Sequence, residues 1–447
     1  MKIAAVILAA GQGTRMKSHL PKVLHPILGK PMAWYSLMAA RQVTGSPPLM
    51  VIGHAADQVR QALGDSAHYV LQEQQLGTGH AVLQAAPALR GKTDLVLVTY
   101  ADMPLLTGET LERMVSTQVA QGGAFTMLTV QLDDPHGFGR VVRSPAGNVL
   151  AIVEEAQATP EQRLIQELNV GAYCFEAEWL WQALPRIPIS PKGEYYLTDL
   201  VAIAVADGKQ VQALTMPDAR EMIGINTRVH LAEATGLMRQ RINRRWMQEG
   251  VTMIDPETVY IDPEVSIGMD TVLWPGTMLQ GTTQIGEACV IGPNAIIQDT
   301  LIGNRCTVLA SVLEHAVLED DVEIGPFGHL RKGAHLAQGV HMGNFGEVKN
   351  SYLGPGTKMG HFSYLGDATI GEDVNIGAGT ITCNYDGQHK HPTQIGAGAF
   401  IGSDTMLVAP VTIGEGAKTG AGAVVTKDVA PKTLVVGVPA RAIRKSE

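Results

Sequence analysis

At 447 residues the chain is longer than one hydrophobic core usually serves, so two folding units are expected. A formal net charge of -9 excludes the electrostatic footprint of a nucleic-acid binder, and no run of Lys and Arg offers a patch for an anionic membrane surface. The four cysteines, Cys174, Cys289, Cys306 and Cys383, lack CxxC spacing; neither a zinc site nor a disulfide framework is indicated, and a reducing cytoplasm is the expected compartment.

The chain opens on one Lys and an apolar run ending at Ala10, which passes at a glance for a signal peptide. Gly11-Gln12-Gly13-Thr14-Arg15 follows at once without a cleavage site, so a buried first strand over 3–10 is predicted instead. Further strands are expected at 49–52, 94–99, 124–130 and 170–175, with helical patterns at 31–42, 55–63, 78–86 and 107–121 between several of them. Such alternation specifies an α/β unit, a mainly parallel, Rossmann-like sheet with helices on both faces. Its ligand sits at the carboxyl ends of the strands. Both the Gly11 loop and Asp102, which follows the strand at 94–99, fall at such ends.

From Thr227 to Met247, Leu231, Ala234, Leu237, Met238, Ile242 and Trp246 form a helical stripe, with Gly250 as its stop. Arg239, Arg241, Arg244 and Arg245 fall mostly outside the stripe and read as a solvated or interface face of a connecting helix. No stretch is long enough to span a bilayer.

Beyond the helix the period changes. An aliphatic residue recurs at every sixth position through Ile267, Leu273, Leu279, Ile285, Ile291 and Ile297. The pattern resumes at Ile324, Leu330, Leu336, Met342 and Val348, then at Leu353, Met359 and Leu365, then at Ile370 and Ile376. It closes with Ile395, Ile401, Leu407, Ile413, Thr419 and Val425. A 3.6-residue helix cannot hold such a repeat on one face, whereas a parallel β-helix of stacked short strands buries it continuously. The expected division is 1–226, 227–250 and 251–447.

The first strand runs into Leu8-Ala9-Ala10-Gly11-Gln12-Gly13-Thr14-Arg15-Met16, followed by Pro21-Lys22. Glycines let backbone N–H groups approach a polyphosphate, and Arg15 offers paired donors where charge builds up in a transfer reaction. The segment lacks the Gly-Lys-Ser/Thr of a Walker A loop and the third glycine of the dinucleotide fingerprint. It resembles the loop of the sugar-1-phosphate nucleotidyltransferases.

Further segments narrow the resemblance: Gln72, Gln75-Leu76-Gly77-Thr78-Gly79-His80-Ala81, Tyr100-Ala101-Asp102-Met103-Pro104, Gly137-Phe138-Gly139-Arg140, Val153-Glu154-Glu155, Asn169-Val170-Gly171 and Gly224-Ile225-Asn226. Together they resemble the uridylyltransferase half of the bacterial bifunctional enzymes that acetylate glucosamine-1-phosphate and then convert it to UDP-N-acetylglucosamine. The resemblance implies nucleotide contacts at Leu8, Ala9, Ala10, Gly11, Gly13, Lys22, Gln72, Gly77, Thr78, Tyr100 and Ala101. It implies sugar contacts at Gly139, Glu154, Asn169 and Asn226, and Mg²⁺ at Asp102 and Asn226. A hard carboxylate oxygen suits that ion, and the transfer needs alignment and charge neutralisation, from Mg²⁺, Arg15 and Lys22, more than a nucleophilic side chain. The chain departs from the family pattern at Ala101, where Gly is frequent, and at Ala156, where a Lys is sometimes found; both bear on affinity.

In the second half, Thr382-Cys383-Asn384-Tyr385-Asp386-Gly387-Gln388-His389-Lys390-His391-Pro392 interrupts the hexads as a polar insertion, expected to emerge as a loop. With Asn344, Glu347, Lys349, His361-Phe362-Ser363-Tyr364-Leu365-Gly366-Asp367 and Asn375-Ile376-Gly377-Ala378-Gly379-Thr380 it resembles the acetyltransferase half of the same enzymes. Attack of an amine on a thioester needs a proton acceptor. The resemblance makes His361 that base, with Glu347 in a neighbouring coil expected to orient its ring or raise its basicity. It implies Arg331, Lys349 and Lys390 as phosphate-holding cations, Tyr364, Asn375, Asn384 and Tyr385 as the rest of that pocket, and Ser403, Ala378 and Ala421 along the acetyl-CoA cleft. Gly437 stands where an Arg can contact CoA, leaving Arg441 or Lys427 to supply that charge. The resemblance further implies a left-handed β-helix, a homotrimer with shared acetyltransferase sites, and UTP and acetyl-CoA as co-substrates. Two other readings stay open at this stage: a nucleotidyltransferase whose β-helix only assembles or regulates it, and a scaffold whose pockets have decayed.

Overall fold

The computed structural model describes residues 1–133 and 138–445, so Gly137 of the Gly-Phe-Gly-Arg motif lies outside the described residues. The chain forms two compact units, Met1–Met238 and Arg239–Glu447, and the long helix Arg228–Gln248 contains the division.

In the first unit the main sheet runs, edge to edge, Val211–Thr215, Phe125–Gln131, Glu167–Glu176, Leu95–Tyr100, Ile3–Ala9, Leu49–Ile52 and His68–Leu71. Glu167–Glu176 is antiparallel to both of its neighbours, and every other pairing along this path is parallel. The first strand is central, with Val6 and Ile7 fully buried, which is why its sequence is almost purely aliphatic. Helices Ala56–Leu63, Thr78–Leu83 and Gly108–Gln121 fall within the predicted patterns, and Met32–Thr44 runs two residues past its own. Leu37 and Met114 pack on one face of the sheet, and Val82 and Leu200 on the other.

Three of the elements without a counterpart in the sequence bear on the site and the sheet edges. Two are the edge strands His68–Leu71 and Val211–Thr215, and the third is a hairpin, Arg140–Arg143 with Val149–Val153, that extends the sheet beside the antiparallel strand.

The second unit is a parallel β-helix. Three sheets of 12, 10 and 9 strands run along it, and consecutive strands take the sheets in rotation up to Val424–Val425; the last two strands, Thr433–Val436 and Arg441–Lys445, pair antiparallel within one sheet. All of the hexad residues from Ile267 to Val425 are buried, and equivalent positions stack in register, as in Leu273↔Ile291 and Leu279↔Ile297. The register break after Ile297 has a simple cause. Ile302, Val308, Leu313 and Leu318 continue the interior but are reached partly by five-residue steps, so the period fails while the coil persists. The polar insertion emerges as expected, between strands Ile381–Cys383 and Thr393–Ile395.

Candidate functional sites

The loop after the first strand is folded back by its glycine. Gly13 has φ 63°, and a Cβ there would lie 2.6 Å from Cβ of Lys22, so only glycine lets the Pro21-Lys22 segment pack against the loop. That packing brings Lys22 to the carboxyl end of the strand Leu95–Tyr100, where its Nζ pairs with Asp102 Oδ2 at 2.5 Å and donates to Asn226 Oδ1 at 3.2 Å. Arg15 Nη2 donates to the same Asn226 oxygen at 2.9 Å. The Ile225 N–H, bound to the Asp102 carbonyl at 2.9 Å, fixes Asn226 beside the carboxylate. Four residues separated by up to 211 positions thus meet at one point.

Asp102 and Asn226 present two hard oxygens to a common centre, where the Lys22 ammonium stands as the cation. This donor set fits Mg²⁺, which takes few protein ligands and completes its shell with water and phosphate oxygens. Among the described residues no cluster of three or more His, Cys, Asp or Glu would hold a metal more completely. Ala101, the first departure, is fully buried with φ outside the left-handed region, and its N–H donates to Leu8 O at 3.0 Å; its methyl meets no backbone strain. Ala156 lies in the short turn Glu155–Gln157.

Around this centre opens a cleft of about 720 Å³ lined by Arg15, Tyr100, Asp102, Phe138, Val170 and Asn226 among others. A larger hollow of about 1050 Å³ at the amino ends of the strands, beside Lys2, Asp94 and Trp181, contains no predicted site residue. Leu8, Ala9 and Ala10 are buried at the end of the first strand. Gln72 donates to Gly77 O at 3.1 Å and meets His80 Nδ1 at 3.0 Å. Gly77, at φ 95°, lies so close to the Tyr195 backbone that a Cβ would sit 2.7 Å from its carbonyl oxygen, and Thr78 Oγ1 accepts from Leu197 N at 2.9 Å. The segment Tyr195–Leu197, which no motif flagged, therefore pins the Gly77-Thr78 turn.

The hairpin completes the other wall. Gly139 O accepts from Asn169 N at 2.9 Å, and Asn169 exchanges hydrogen bonds with the Tyr173 hydroxyl. Burial pushes the Tyr100 phenol well above its ordinary range, and Asp102 adds to the shift. Burial also raises Glu154; Asp199 adds to it and Lys192 opposes it. A carboxylate drawn out of water holds unspent acceptor capacity for sugar hydroxyls.

In the β-helix, site residues are ordered by register. His361 follows the strand Lys358–Met359 at a corner of the coil, and its imidazole makes no hydrogen bond within the described residues. Adjacent corners stack on it in sequence: Gly379 N binds Phe362 O at 2.6 Å, Asp404 N binds Ala378 O at 2.6 Å, and Gly422 N binds Ser403 O at 2.8 Å. His361, Ala378, Ser403 and Ala421 thus share one ridge. Gly437, at φ 95°, links to it through the bond from Val424 N to its carbonyl at 3.1 Å. Arg441 and Lys427 are both exposed.

The next corner collects the cations. Arg331, Lys349, Asn384, Tyr385 and Lys390 gather there, with the insertion folded by a Tyr385↔Lys390 bridge and by Asp386, which accepts from His389 N at 2.7 Å and pairs with His391. Asn384 Nδ2 donates to Asp367 Oδ2 at 2.6 Å. Lys390 and then Arg331 push Lys349 below its ordinary range, since like charges repel, and Asp367 opposes the shift. Such a corner calls for an anion.

Two expectations change. Glu347 does not reach His361: its Oε1 accepts from Arg331 Nη1 at 2.9 Å. The pairing Gly346↔Ser363 and Glu347↔Tyr364 sets it beside Tyr364, placing Asn344 in line with His361. Asn375 stands on a different sheet from Tyr364, in register with Lys358 and Phe400, so a single chain does not bring it to the cation corner.

An α/β fold with a cation-lined loop at its strand ends, joined to a hexapeptide β-helix with its own polar corner, defines a two-part transferase. A family model for the MobA-like NTP transferase domain matches residues 5–170. Models for the bacterial transferase hexapeptide and for the hexapeptide repeat of succinyl-transferase match 392–427 and 282–312. The chain is 50% identical to the bifunctional protein GlmU of Heliobacterium modesticaldum over 97% of its length and 95% of that protein. It is 49% identical to the GlmU of Trichlorobacter lovleyi, over 97% of this chain and 95% of that one. Against the GlmU of a Geobacillus species it is 47% identical over 98% and 95%. The chain belongs to the family of the bifunctional GlmU proteins.

Proposed function

We propose that the chain makes UDP-N-acetylglucosamine in two steps on two separate sites, divided functionally as 1–226, a connecting 227–250 and 251–447. The observation that carries this is the coexistence, in one chain related over nearly its whole length to bifunctional proteins, of the Arg15–Lys22–Asp102–Asn226 centre and the His361 ridge beside the cation corner.

In the first step Arg331, Lys349 and Lys390 hold the phosphate of glucosamine-1-phosphate, with Tyr364, Asn384 and Tyr385 around it. The amine attacks the thioester carbonyl of acetyl-CoA, seated along Ala378, Ser403 and Ala421; His361 takes the amine proton and the CoA thiol leaves. Arg441 supplies the charge toward CoA that Gly437 cannot. The position of Asn375 on a separate face supports a homotrimer in which a neighbouring copy completes the pocket.

In the second step a phosphate oxygen of N-acetylglucosamine-1-phosphate displaces pyrophosphate from the α-phosphorus of UTP. Arg15 and Lys22 neutralise the developing charge, and the Gly11 loop, Gln72, Gly77 and Thr78 seat the nucleotide. Gly139, Glu154, Asn169 and Asn226 seat the sugar. Mg²⁺ held by Asp102 and Asn226 supplies further charge neutralisation and alignment when bound. Among the described residues no helix is long and apolar enough to cross a membrane. The four cysteines, all free, support a cytoplasmic enzyme.

The test combines purified protein with glucosamine-1-phosphate, acetyl-CoA, UTP and Mg²⁺, following free thiol and pyrophosphate separately, and repeats it with N-acetylglucosamine-1-phosphate. Thiol release with the amino sugar and pyrophosphate in both mixtures is expected. Pyrophosphate only with the pre-acetylated sugar would reduce the β-helix to an assembly role.

A further inference from the structure

Arg140 has no part in the scheme above, yet it is a fully buried cation, 1% exposed, in a sheet whose other interior residues are overwhelmingly apolar. Taking a guanidinium out of water is costly unless the site uses it, and a buried charge needs partners. Its partners here are specific. Arg140 Nη1 donates to the carbonyl of Phe138 and lies 3.7 Å from Glu155 Oε2, while its Nε has no partner among the described residues.

The position in the sheet gives these contacts their meaning. Arg140 pairs with Val153 on one side and with Leu168 on the other, so it is the middle residue of a three-strand rung Val153–Arg140–Leu168. The residues flanking that rung are Gly139, before Arg140, Glu154, after Val153, and Asn169, after Leu168. These are three of the four residues that the resemblance assigns to the sugar, Asn226 being the fourth. The guanidinium ties the peptide just before Gly139 to the carboxylate just after Glu154. The Gly139 carbonyl is in turn bound to Asn169 N at 2.9 Å.

We propose that Arg140 is the positioning residue of the sugar pocket in the nucleotidyl-transfer site: it sets the spacing of Gly139, Glu154 and Asn169 without touching substrate, and so governs affinity for the sugar phosphate rather than for the nucleotide. The inference rests on the proposed uridylyl transfer and deepens it. One nitrogen, Nη1, faces both Phe138 O and Glu155, and a lysine ammonium, one bond shorter, keeps the charge without reaching the same point.

The experiment uses the full-length protein and measures steady-state pyrophosphate release with UTP and N-acetylglucosamine-1-phosphate for wild type, Arg140→Lys, Arg140→Met and Glu155→Gln. Thiol release from acetyl-CoA and thermal unfolding are followed on the same preparations. Arg140→Met is expected to raise KM for the sugar phosphate about tenfold with KM for UTP within about twofold, the size of one lost charge-assisted contact. Arg140→Lys is expected to recover part of that loss, and Glu155→Gln to show a smaller rise. A joint rise of both KM values, or a loss of kcat that follows the fall in unfolding temperature with no KM split, would make Arg140 a structural residue only and overturn the proposal. An unchanged sugar KM in Arg140→Met would overturn it too. Should Arg140→Met not fold, the Lys and Gln variants carry the same KM comparison. Absence of pyrophosphate release from wild type would sink the uridylyl-transfer reading itself, a result distinct from any of these.

Discussion

The two units bring site residues together by opposite means. In the α/β unit Arg15 and Lys22, from the loop after the first strand, meet Asp102 and Asn226, from two distant stretches, because separate strands and loops end at the same edge of one sheet. In the β-helix His361, Ala378, Ser403 and Ala421 are neighbours because each lies one coil beyond the last on the same corner. Convergence makes a centre whose members touch one another and share one oxygen of Asn226. Repetition makes a ridge whose members hardly interact, so each is open to the ligand alone.

The widest separation between the units is expected from His361→Ala. A ridge residue whose side chain makes no hydrogen bond among the described residues leaves the fold intact when removed, so acetyl transfer, followed as free thiol, should fall by about 10² to 10⁴ while pyrophosphate release stays at the wild-type rate. Loss of both activities in a folded variant would end the idea of independent sites.

Arg15→Ala is the counterpart in the convergent centre. Removing one donor aimed at developing charge is expected to lower pyrophosphate release by about 10² to 10³ and to spare thiol release. Because Arg15 also holds Asn226, this variant should in addition raise the Mg²⁺ concentration needed for half-maximal rate. A rate loss with unchanged Mg²⁺ dependence would separate the two roles of Arg15.

How much of this could be read from residues follows the same contrast. Repetition is legible: every hexad residue named from the pattern lies in the interior, and the register breaks at five-residue steps, as from Ile297 to Ile302 and from Val348 to Leu353, and at the polar insertion. Convergence is not, because periodicity says nothing about which strand ends meet. The Gly11 loop and Asp102 read as facing ligand because each follows an aliphatic strand, but Asn226 joined them through resemblance alone. The edge strands escaped for a physical reason: His68–Leu71 is half exposed, with a mixed pattern that carries no burial signal. Glu347 was expected near His361 from their fourteen-residue separation, whereas within one chain a coil there spans seventeen and sets Glu347 beside Tyr364.

A smaller effect tests the cation corner. Lys390→Ala removes one of three positive groups around the proposed phosphate, and the other two remain, so KM for glucosamine-1-phosphate is expected to rise about tenfold with little change in kcat. The Lys349 amine, which Lys390 holds down, should move back toward its ordinary range in this variant, measurable by NMR of the lysine amine. A Lys349 that does not respond would mean the two cations are not neighbours in solution.

The smallest effect is a pH dependence confined to the α/β unit. Burial raises the Glu154 carboxyl above its ordinary 4.5, so it takes up a proton at a higher pH than an exposed glutamate would. A protonated carboxyl loses acceptor capacity for sugar hydroxyls, and KM for N-acetylglucosamine-1-phosphate should therefore climb on acidification more steeply in wild type than in Glu154→Gln. The substrate phosphate titrates alike in both, so the difference between the two profiles isolates Glu154. Stability runs in the other direction. A carboxyl whose folded pKa is raised favours the fold below its unfolded value and loses that contribution as pH rises through the folded one, so at neutral pH the ionised group weakens the fold. Glu154→Gln is expected to unfold at a slightly higher temperature than wild type at neutral pH and to bind the sugar phosphate a few-fold less tightly. A variant that loses both affinity and stability would place Glu154 in the framework of the hairpin, and would leave the α/β unit with no counterpart to the open, unpartnered residues of the β-helix ridge.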